Sequence, residues 1–120
     1  MICEDYVSFE TAKLLKEKGF DEECSFAFYK DGRIVDRYDS EFSYNYYDRP
    51  TLQMAIKWLR EVHRLFINIF LCDKPNNFEY NIYKIHDTYL EVVDNEEIFH
   101  YNTYEEAAEA VIKHCLENLI

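Results

Sequence analysis

His63, Cys72, His114 and Cys115, together with the 24 acidic side chains, are the groups in this 120-residue sequence able to ligate a metal or attack a substrate. A zinc site needs spacings such as Cys-x2–4-Cys or His-x3–5-His, and no pair here has one. His114 and Cys115 are adjacent, so a helix turns them about 100° apart. A nucleophilic cysteine needs an accessible thiol of lowered pKa, whereas Cys115 lies in an apolar helical stripe and Cys72 ends an apolar run. The neighbouring acids Glu22/Glu23, Glu96/Glu97 and Glu105/Glu106 suit acid/base work, but so acidic a composition produces such pairs without selection for a site, and they read as solvated faces. Gly19 and Gly32 are needed for a helix stop and a turn, which leaves no glycine-rich phosphate loop. No catalytic residue, metal ligand or cofactor is therefore assigned.

The elements that position these groups are easier to read. Ser8 is a good N-cap with Glu10 in the first turn, and the helix runs to Lys18 before Gly19 and apolar Phe20, a Schellman stop. Residues 24–30 and 33–38, joined by Asp31-Gly32, predict a β-hairpin with a two-residue type I′ turn. Pro50 and Thr51 open a second helix whose inward stripe is Leu52, Ala55, Ile56, Leu59 and Val62. His63 falls on that stripe as a hydrogen-bonded core or helix-end histidine. Residues 65–72 predict a central, largely buried strand, residues 78–85 and 89–93 two more, and residues 98–101 a short extended piece after the acidic turn 94–97. A capping box, Thr103 with Glu106, starts a last helix that buries Ala108, Val111, Ile112 and Cys115, with Tyr104 and Leu119 in the same stripe.

The expected fold is α+β: a mostly antiparallel sheet of about five strands packed with three helices, in the order α-ββ-α-βββ-α, as a single domain over residues 1–120. With 48% hydrophobic residues, such a chain builds one core without staples. A net charge of −11 argues against direct nucleic-acid binding, which needs Lys and Arg to displace counterions. Neither a signal peptide nor a transit peptide fits the acidic start, and the longest apolar run is far below the roughly 20 residues that cross a bilayer, so a cytoplasmic protein without membrane attachment is expected. The four cysteines lie 21, 48 and 43 residues apart and read as free, buried thiols.

Residues 38–47 read as a strand or an ordered loop, and carry Tyr38, Phe42, Tyr44, Tyr46 and Tyr47 among acids and Asn45. Tyrosine offers a large contact area with a polar tip and few rotors, which makes these five the candidate partner-binding residues. The chain's 21 aromatic rings exceed what one small core hides, so a weak homodimer is expected beside an unknown protein partner.

AKLLKEKGFDE (residues 12–22), RPTLQMAIKWLREVHRLFINI (49–69) and NTYEEAAEAVIKHCLENLI (102–120) together resemble a group of small uncharacterised proteins of gut Bacteroides-type bacteria, their phages and mobile elements. KWLRE-H after Pro-Thr is the most specific part of the likeness. The layout, a Pro-initiated helix, a strand meander and a helix after YEEA, is also similar to the phage ABA sandwich domain. The resemblance implies a setting and transfers no catalytic residue. The function expected is a non-enzymatic accessory or protein-interaction domain of phage or mobile-element origin. The alternatives are a small hydrolase using His63 or His86 with a carboxylate, and an acidic mimic of DNA.

Overall fold

A computed structural model describes residues 2–36, 46–93 and 99–120. Helix α1, Phe9–Glu17, starts where the Ser8 hydroxyl accepts from the Thr11 amide at 3.2 Å. It stops in the expected Schellman geometry: Gly19 has φ +93°, its amide donates to Lys16, and the Phe20 amide donates to Leu15 at 2.9 Å. Phe20 is thereby turned into the core.

Strands β1, Phe26–Tyr29, and β2, Ile34–Asp36, form the predicted hairpin with a different turn. The Tyr29 amide donates to Arg33, the Gly32 amide donates to Tyr29, and positive φ occurs at Gly32 and not at Asp31. That is a three-residue loop, a type I turn followed by one left-handed glycine, in place of the two-residue type I′ turn. The Asp31 carboxylate takes the side-chain role instead, accepting from the amide and Nε of Arg33. A third strand, β3, Tyr46–Asp48, pairs with the other edge of β1.

Helix α2, Leu52–His63, is capped by the Thr51 hydroxyl and ends at Arg64, whose φ of 60° swings the chain directly into β4, Leu65–Leu71. Strands β5, Phe78–Ile85, and β6, Leu90–Val93, complete a second antiparallel sheet. Tyr101 adds one bridge to Phe78. Helix α3, Tyr104–Asn118, is capped by Thr103, which accepts from the Glu106 amide at 3.1 Å. The Glu106 carboxylate closes the box on the Asn102 amide, one residue before the expected Thr103.

Among the described residues the architecture is thus α+β with three helices, but the order is α-βββ-α-βββ-α and the strands form two three-stranded antiparallel sheets, β2-β1-β3 and β4-β5-β6, instead of one sheet of about five. Helix α3 joins the parts, packing on α1, α2, β4 and β5. Its buried surface is wider than the expected stripe, since Ala107 and Leu116 join Ala108, Val111, Ile112 and Cys115 at full burial. Two further expectations change. Val62 is 55% exposed and its place in the α2 core face goes to Trp58, because the stripe runs past the end of what α2 packs against. Strand β4 is an edge and not a centre: among the described residues the helices cover one of its faces and leave Phe66 exposed on the other, while Leu71, on the helix side, is exposed at the strand's end.

Candidate interaction surface

Side chains of a strand alternate between faces, and the register of the second sheet aligns them in rows. Leu65, Ile67, Ile69, Tyr80, Ile82 and Val93 point to the helices and are buried or packed against the core. The opposite face carries Phe66, Tyr83 and Val92 in one row across all three strands, and Ile85 beside Leu90 in the next. Phe66 is 41%, Leu90 59% and Val92 68% exposed, and the Phe66 and Tyr83 rings lie 6.4 Å apart. Toward the β4–β5 turn the rows become Asn68 with Asn81 and Phe70 with Glu79. At the other end Arg64 reaches the carbonyl of Ile85 and stands 3.7 Å from Asp87. The outcome is a flat face with a five-residue apolar end. Phe66 and Phe70, at even positions of β4 on either side of Asn68, are its signal in the sequence, and the row itself appears only once the register stacks Phe66, Tyr83 and Val92.

Of the residues expected to bind a partner, Tyr38, Phe42 and Tyr44 lie outside the described residues. Tyr46 and Tyr47 are half-buried on β3. Tyr47 packs edge-on to Phe9 at 5.8 Å, and the Lys16 ammonium sits over both tyrosine rings while donating to the Tyr46 carbonyl at 2.7 Å. These two rings therefore help to hold the first sheet on α1.

The candidate catalytic groups are spread out. His63 Nε2 is buried without a hydrogen-bond partner among the described residues, unlike the satisfied histidine expected, and its ring stands edge-on to Trp58 at 4.7 Å. Burial holds its pKa below the usual histidine value. His86 does meet a carboxylate: Nε2 is 2.7 Å from Glu91 Oε1, and the ring stacks on Tyr89 at 4.4 Å. That pair sits on the open β5–β6 hairpin, away from the hollow of about 250 Å³ beside Trp58 and the open one of about 550 Å³ along the start of α3. The Asn118 side-chain amide donates to His114 Nδ1 at 3.3 Å. Among the described residues no three His, Cys, Asp or Glu side chains converge to hold a metal ion, and no helix is long and apolar enough to cross a membrane.

Cys24 and Cys115 are buried as expected, but Cys3 is exposed and Cys72 half-buried, contrary to the expectation of uniform burial. A hydrogen bond to Glu79, then desolvation, raises the Cys72 pKa, and desolvation pushes Cys115 up to about 12. Iodoacetamide at neutral pH should therefore label Cys3 first, Cys72 more slowly, and Cys24 and Cys115 only on unfolding. Peptide mass spectrometry of a time course checks this, and native labelling of Cys115 at the rate of Cys3 would contradict the packing of α3. No family model matches the chain, and neither a curated protein nor a solved structure matches it.

Proposed function

We propose that this chain is a non-enzymatic protein-interaction domain, an accessory protein of the phage or mobile-element setting that its three helical segments resemble, acting in the cytoplasm. The observation that supports the reading is the apolar end of the second sheet, where Phe66, Leu90 and Val92 are exposed around half-buried Tyr83 and Ile85. Covering apolar surface stabilises a complex by about 25 cal/mol per Å², and exposed patches of this kind mark interaction sites. The segment that carries Tyr38, Phe42, Tyr44, Tyr46 and Tyr47 remains a second contact region under the same reading. One observation favours the hydrolase alternative, the His86–Glu91 pair at 2.7 Å, although it lies on an open hairpin where water is not excluded. The acidic hollow that includes Asp5, Glu105, Glu106 and Glu109 is what a mimic of DNA would use.

The test places a photocrosslinking phenylalanine at Val92, or at exposed Lys57 as control, in cells making the protein. A discrete adduct from position 92, weak from position 57 and lost with Leu90→Asp, is expected. Equal adducts from both positions, or none from 92, would overturn the reading. Ester or amide turnover that disappears in His86→Ala would favour the hydrolase.

A further inference from the structure

We infer that the occupant of the outer face of the β4-β5-β6 sheet is the same face of a second copy of this chain, in a weak, salt-strengthened homodimer. This rests on the proposed reading of the face as an interaction surface, and it places self-association on this face instead of on Tyr46 and Tyr47.

Charge selects the partner. The chain carries −11, so most approaches of one copy to another bring like charges together. On this face Glu79 lies at one end and Arg64, beside Asp87 at 3.7 Å, flanks the other, while Phe66, Tyr83, Ile85, Leu90 and Val92 between them carry none. Among the described residues this face offers a basic partner no row of carboxylates. A second copy meets a neutral, apolar, flat surface that matches its own, as an isologous contact requires.

Area sets the strength. Strands β4, β5 and β6 are seven, eight and four residues long, and at about 3.3 Å per residue and about 4.8 Å between strands the face covers about 300 Å². Two such faces stacked about 10 Å apart, as sheets pack, remove about 600 Å² from water, which falls in the weak class below about 1,200 Å². The contact is therefore reversible, and the residual repulsion between two acidic copies makes it tighten as salt screens them.

Sedimentation equilibrium of the full chain at 20 to 500 µM, in low and in moderate salt, tests this. A monomer–dimer equilibrium whose Kd falls as salt rises is expected, as is a weakening of about tenfold or more in Val92→Asp, which sets two carboxylates face to face. Val92 is 68% exposed, and circular dichroism will verify that this variant stays folded. Tyr46→Ser should leave the equilibrium unchanged. A monomer at 500 µM in both salts, a dimer weakened by salt, or a dimer lost in Tyr46→Ser and kept in Val92→Asp would overturn the inference. The crosslink at position 92 separates the two readings. An adduct of about twice 14.6 kDa supports the second copy, an adduct of any other mass keeps the interaction surface and overturns the homodimer, and no adduct overturns both.

Discussion

Leu59→Ala should lower the unfolding free energy by about 3–4 kcal/mol, since a fully buried leucine loses both its transfer energy and the packing around the cavity left behind. Leu59 is 0% exposed and sits midway along α2, among Ala55, Ile56 and Trp58 on the core face that α3 and β4 cover. These partners belong to regular elements whose backbones are tied by their own hydrogen bonds, so the site collapses little. At about 2.1 cal/mol/K of unfolding entropy per residue, 120 residues convert this loss to a Tm lower by about 12–16 °C. The protein has one tryptophan, Trp58, one residue away and nearly buried, and its fluorescence in a urea titration reports the transition directly. Val62→Ala, on the expected stripe but 55% exposed, should shift stability by less than about 0.5 kcal/mol with the same m-value. Equal losses at 59 and 62 would mean that α2 presents the stripe read from its sequence instead of the one described.

That contrast shows where local pattern stops being informative. The caps at Ser8, Thr51 and Thr103 are encoded within four residues each, and each forms at its predicted place. Gly19 likewise reports a left-handed φ that almost no other residue adopts freely. Strand pairing has no such local code. The segment LFINIFL is apolar on both faces, which periodicity reads as a buried central strand, whereas its place at an edge follows from which strands pair with it across the chain. The break of six strands into two sheets is equally non-local: β3 finds β1, and α2 then carries the chain to a new sheet. For the same reason the Phe66–Tyr83–Val92 row is invisible until three separate strands are in register. His86 and Glu91 illustrate the converse, a pair five residues apart that the β5–β6 hairpin closes to 2.7 Å.

Glu109→Ala should lower stability by about 1.5–3 kcal/mol, the range for hydrogen bonds to a charged group whose loss strands a buried partner. The Glu109 carboxylate leaves α3 and caps the start of α1: Oε1 accepts from the Thr11 hydroxyl at 2.7 Å, and both oxygens accept from the Ser8 amide at 3.2 and 3.3 Å. Thr11 is fully buried, and when the carboxylate goes its hydroxyl keeps only the Ser8 hydroxyl, at 3.1 Å, as a neighbour. The negative charge also lies at the positive end of the α1 dipole, which adds to the effect. Nearby, Lys113 and Glu10 form a second link between the same helices at 2.8 Å, each drawing the other's pKa apart by hydrogen bonding and charge, but both are open to solvent and Lys113→Ala should matter less. Glu109→Gln retains an acceptor for Thr11 without the charge and should lose about half as much as alanine. Thr11→Val combined with Glu109→Ala should be less destabilising than the two single changes added, with a coupling of about 1 kcal/mol or more in a double-mutant cycle. Because β3 packs on α1, loosening this joint should also raise hydrogen exchange at Tyr46 and Tyr47 while β5 stays protected. Additive single effects, or exchange that rises equally in both sheets, would show that the carboxylate does not fasten α1 to α3.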